Sequence, residues 1–114
     1  MLRSRVLWSG CLLALLVTSA GAQPESFILG SATAASGTVA SGQIDIAPLG
    51  DDEGTFIPVT VAHGVEPGPT MGLIAGIHGS EYAPILALQK LRPLLDASKM
   101  RGTVILVHLS LIHI

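Results

Sequence analysis

Apolar positions along the chain change their period several times, and each change predicts a different element. Gln43 to Ala47, QIDIA, alternates polar and apolar, which predicts a half-buried strand. Phe56 to Ala62, FIPVTVA, is rich in β-branched residues and predicts a second strand, with Pro58 arguing for a strand start or an edge position. The GVEPGP that follows reads as a turn. Thr70 to Ile77, TMGLIAGI, is a short apolar run of the kind found in strands covered on both faces. From Pro84 the period becomes helical, with Ile85, Leu88, Leu91 and Leu95 recurring at helix spacing. A proline is tolerated in a first turn because the N–H it lacks has no partner there. Pro93 ends or kinks this helix, and Asp96 caps a short turn. Thr103 to His108, TVILVH, repeats the buried-strand pattern after Gly102.

Strand, helix and strand in that order predict two parallel strands joined by a right-handed crossover. The fold class expected is therefore α/β, a partial mixed sheet with flanking helices. Ligands in such sheets collect beyond the carboxyl ends of the strands. His78 and Glu81, in the stretch GIHGSEYAP at 76–84, fall at that place.

The amino terminus follows another rule. Arg3 and Arg5 precede an apolar segment from Val6 to Val17, and Ala20-Gly21-Ala22 gives the small-x-small pattern of a processing site. Residues 1–22 read as a signal peptide cut after Ala22, and the protein as exported, periplasmic or secreted. The apolar core is short for an uncleaved anchor. Cys11 is the sole cysteine of the sequence and lies in this leader, so the mature chain has no disulfide and no thiolate chemistry. Residues 23–42 include GSATAASGTVASG, small and uncharged, and read as a flexible lead-in segment or loose edge strand. Net charge is −2 with 12% charged residues, which provides no basic field for nucleic acid or anionic lipid. No nucleic-acid partner is expected, and no membrane contact after leader removal.

A neutral imidazole and a carboxylate are both zinc ligands at roughly 2.0–2.2 Å. Two residues between His78 and Glu81, on a strand-to-helix turn, let both converge on one ion, and Gly76 and Gly79 relieve crowding there. A catalytic zinc keeps three protein ligands and one position for water, whose pKa it lowers to about 7. The plainer reading stands beside this one: His78 as a hydrogen-bonded turn residue and Glu81 as a carboxylate favoured by the helix dipole. On that reading the protein is a non-enzymatic exported binding module. His63, between a strand and Gly64, reads as a turn histidine. His108 reads as a strand-end residue, though as a histidine it is also a conceivable third ligand, as is His113. Asp51, Asp52 and Glu53 read as a solvated turn, since no calcium-loop spacing surrounds them. Ser80 lacks the G-x-S-x-G elbow of a serine hydrolase.

The segment GVEPGPTMGLIAGIHGSEYAPILALQKLRPLLD resembles the succinylglutamate desuccinylase/aspartoacylase family, within the zinc carboxypeptidase-like hydrolases. Gly76, His78, Gly79 and Glu81 match that family's G-x-H-G-x-E hallmark, and the similarity runs from about residue 40 to residue 108. The resemblance implies Zn2+ as cofactor, His78 and Glu81 as metal ligands, and hydrolysis of an amide, or less often an ester, in a small N-acyl amino acid or peptide-like substrate. The family's third ligand, general base and substrate-binding arginines match no position here. Residues 43–108 therefore read as an incomplete catalytic domain, inactive by itself. Residues 109–114, LSLIHI, resemble translated sequencing-adapter sequence and read as a non-native tail. Neither acyl group, amino acid nor oligomeric state is legible.

Overall fold

Strands β1 (Ser26–Leu29), β2 (Ala32–Ala35), β3 (Thr38–Ile46), β4 (Thr55–His63), β5 (Glu66–Ile74) and β6 (Arg101–Val107) and helix α1 (Tyr82–Leu91) make up the computed structural model, which describes residues 23–78 and 80–110. β1 and β2 form a separate two-stranded hairpin. The other four strands form one mixed sheet in the order β3-β4-β6-β5, antiparallel except for the β5–β6 pair. The β5–α1–β6 passage is the parallel crossover that the strand–helix–strand pattern predicts.

Alternation along each strand divides the apolar residues between the two faces of the sheet. On one face Val59 and Val61 of β4 pack against Ala32 and Ala34 of the hairpin. On the other, Leu106 of β6 packs with Ala75 against Leu88 of α1, and Leu73, Ile85 and Val104 surround them. The helix thus covers one face, and the hairpin takes the place of a helix on the other.

The segment read as a flexible lead-in is in part this hairpin, with Ala32 and Ala34 fully buried. Its residues are small because the hairpin lies almost on β3. A Cβ added at Gly42 would stand 2.4 Å from the Ala32 backbone nitrogen. Pro58 lies inside β4, between two partner strands, and not at a start or an edge. Its carbonyl accepts from the His108 N–H at 3.1 Å. N–H and C=O of one strand residue point to the same side. The missing Pro58 donor therefore faces the β6 side, just past the last ladder pair, Val59 with Val107, and no ladder bond is lost.

β5 begins four residues before the predicted run, at Glu66, and takes in Pro67 and Pro69. It is an edge strand, with Met71 and Ile74 more than half exposed, and is not covered on both faces. The prolines fit because an edge strand needs donors on one side only, and the β5–β6 register shifts between Glu66 and Thr70 to pass them. α1 starts at Tyr82 and stops at Leu91, and Pro93 falls in a 3-10 turn over Arg92–Leu94.

His63 is the last residue of β4 and is buried, not a turn residue. Its Nε2 donates to the Pro24 carbonyl at 2.9 Å, which fixes the neutral tautomer. Nδ1 then accepts from the Thr103 hydroxyl at 2.8 Å, and Phe27 lies against the ring. His63 fastens the segment before β1 to the end of the sheet. His63→Ala strands a buried hydroxyl and a carbonyl and leaves a void, so a loss of about 2–4 kcal/mol is expected in urea unfolding. A shift below about 0.5 kcal/mol, the size of an ordinary surface substitution, would show that the imidazole only fills space at no energetic consequence.

Candidate functional site

β5 ends at Ile74, and the chain bends at once because Gly76 adopts φ +65°, a left-handed conformation that side chains rarely take. A Cβ at Gly76 would also stand 2.5 Å from the Leu109 Cδ1 atom. Ile77 and His78 then run out to solvent. The Glu81 N–H donates to the His78 carbonyl at 3.0 Å, closing the turn from which α1 departs. Glu81 is the N-cap of the helix but makes no side-chain cap. Its carboxylate is turned back to His78, whose Nδ1–H donates to Oε1 at 3.1 Å. Both side chains are more than half exposed.

The arrangement has the chemistry of a bidentate cation site. Two ligands about 2.05 Å from one ion at a tetrahedral angle stand about 3.3 Å apart, close to the observed nitrogen–oxygen spacing. A cation would replace the proton the two atoms now share. Among the described residues, no group of three or more His, Cys, Asp or Glu could hold a metal. The two donors therefore fit a zinc ion in part, as two ligands of a set that these residues do not complete.

The other sequence candidates are placed elsewhere. His108 follows β6, and its Nε2 shares a hydrogen bond of 2.8 Å with the Thr60 hydroxyl. It joins no three-donor set with His78 and Glu81. Asp52 lies in a tight turn, where its carboxylate accepts from the Gly54 N–H at 2.9 Å. Ser80 is exposed beside Glu81. Cys11, His113 and the leader, 1–22, lie outside the described residues, as does Gly79. Among the described residues no helix is long and apolar enough to cross a membrane.

Pro58, Gln89, Arg92 and His108 line a cleft of about 390 Å3 between the end of α1 and the end of β6. Arg92 reads in the sequence as an ordinary helix-end cation, and only the crossing of α1 over the sheet brings it to β4 and β6. Burial first, and the Arg92 guanidinium second, hold the His108 imidazole below its ordinary pKa of 6.5. Between the lowered value and 6.5 the unfolded chain binds more protons than the folded one. Stability from this residue is thus complete above about pH 6.5 and declines as pH falls through that window. His108→Gln should flatten that part of a curve of unfolding free energy against pH. An unchanged slope would mean that His108 is not the group responsible.

The fold and the donor pair together define a mixed α/β sheet that presents an imidazole and a carboxylate at the carboxyl end of a parallel strand. Over 64 residues the chain is 47% identical to N-alpha-acetyl-L-2,4-diaminobutyric acid deacetylase of Halomonas elongata. The match covers 53% of this chain and 18% of that protein, so the chain spans under a fifth of the length of the curated relative it matches. No family model and no solved structure matches.

Proposed function

We propose that the chain is the amino-terminal part of a zinc-dependent amide hydrolase of deacylase type, built on a zinc-carboxypeptidase-like fold. The observation that carries this reading is the convergence of His78 and Glu81, 3.1 Å apart, just beyond the carboxyl end of β5. The partial identity to a deacetylase supports the same reaction class. Zinc, when bound, supplies Lewis-acid polarisation of a carbonyl. The roles of this chain's own residues are to bind and to orient. His78 and Glu81 present two donors, and the Gly76 bend sets them at the mouth of the sheet with Ile77 and Tyr82, both more than half exposed, beside them. The substrate class proposed is a small N-acyl amino acid or peptide-like amide, and the leader-like pattern of residues 1–22 supports an exported location.

A version of the chain continued to the length of that deacetylase should hydrolyse N-acetylated amino acids, 2,4-diaminobutyrate among them. It should lose turnover to a chelator and regain it with zinc. Chelator-resistant turnover, or no bound zinc in the lengthened protein, would remove the metallohydrolase reading and leave the binding module. The 114-residue chain should show no turnover, because its described residues supply two metal donors and no set of three.

A further inference from the structure

The cleft at the carboxyl-terminal end of α1 is a second place where this chain concentrates binding chemistry. Its volume of about 390 Å3 falls within the roughly 300–1,000 Å3 range of small-molecule sites. Among the described residues its polar lining is a guanidinium, a carboxamide and an imidazole, with no acidic side chain. Arg92 takes no part in the His78–Glu81 hydrogen bond or in the ion pairs Lys99–Asp96 and Arg101–Glu66. Gln89 and Arg92 are three residues apart in sequence and so share one side of the helical turn.

Behind His108 runs a file of hydroxyls across the sheet. Ser41 Oγ and Thr60 Oγ1 are 2.9 Å apart, and Thr60 Oγ1 is 2.8 Å from His108 Nε2. When Thr60 donates to Nε2, the imidazole proton sits on Nδ1. Nδ1 is buried and has no hydrogen-bond partner among the described residues. A buried donor left in that condition costs about 1–3 kcal/mol.

We propose that this cleft binds a small carboxylate, clasped by the Arg92 guanidinium and oriented by Gln89 and His108. A planar guanidinium fork matches the two oxygens of a carboxylate. A single fixed positive charge suits a monoanion better than a phosphate dianion. The site is separate from the His78–Glu81 pair, since α1 lies between them and its ten residues span about 15 Å. It does not depend on the zinc reading.

The test is an acetate titration of the full 114-residue chain at constant ionic strength, followed by nitrogen and proton resonances of Arg92, Gln89 and His108. Saturable shifts at these three side chains are expected, with the His108 ring settling in the Nδ1–H tautomer. Arg92→Gln should raise the acetate Kd by about tenfold or more, the loss of a charged hydrogen-bonded contact. Arg92 is exposed, so the backbone amide spectrum should stay that of the folded chain. Shifts that rise linearly without saturating, or equal affinity in Arg92→Gln, would overturn the proposal. Tighter binding of inorganic phosphate than of acetate would overturn the carboxylate assignment.

Discussion

Leu106→Ala should destabilise the chain by about 2–5 kcal/mol, the largest effect expected of any single truncation. Leu106 is fully buried and is the largest side chain so enclosed. It lies at the middle of the helix-side core, against Ala75 and Leu88, with Leu73 and Val104 of the sheet and Ile85 of α1 around it. The void therefore has little means of collapsing, and the cavity cost adds to the lost transfer free energy. A domain of this size holds about 5–10 kcal/mol in all, so the change removes a large fraction of it. Urea unfolding reads the result as a lower midpoint at similar slope. Leu94→Ala is the control, since Leu94 is 76% exposed and should change stability little. Equal midpoints for the two variants would mean that the core is not where the structure puts it.

The second large effect concerns the metal. On the zinc reading, His78→Ala should weaken zinc binding by more than about 100-fold, since removal of an outer partner of a metal ligand already costs about 10–100-fold. The sequence has 4 histidines, which makes a selective readout possible. Zinc added to the unsubstituted chain should move the His78 ring resonances first, and Glu81→Ala should abolish that selectivity. The competing reading makes a different forecast. An exposed hydrogen-bonded pair that only closes a turn is worth about 0–1 kcal/mol of stability and has no bearing on zinc. Uniform perturbation of all the imidazoles, or zinc affinity untouched by His78→Ala, would sink the metal-site reading.

The elements whose apolar residues follow one period were the ones readable in advance. β4, β6, α1 and the second half of β3, from Gln43, lie close to their apolar patterns, and the crossover follows from the strand–helix–strand order of β5, α1 and β6. β5 departs from its apolar run at both ends because local preference and tertiary pairing conflict there. Pro67 and Pro69 favour a turn, yet pairing with β6 holds them extended at an edge. For residues 30–42 flexible lead-in and loose edge strand stay open in the sequence because the buried residues of the hairpin are alanines. Alanine carries little hydrophobic signal, and its burial arises from close approach to Gly42, which no periodicity encodes. His63 escapes notice for the opposite reason, as a polar side chain whose burial depends on three partners distant in sequence or across strands. The His78–Glu81 pair was legible because a separation of three residues on a turn is a local geometry. The cleft was not, because Pro58, Arg92 and His108 come from three elements and meet only through the crossing of α1 over the sheet.

The two cores lie back to back, and β6 contributes to both, with Ile105 and Val107 on the hairpin side and Val104 and Leu106 on the helix side, while β4 is its antiparallel neighbour. Either layer can loosen while the other still shields one side of the β4–β6 ladder. The amides of Val61 and Leu106 should therefore be the last to trade protons with solvent, and those of β5, at the rim, among the first.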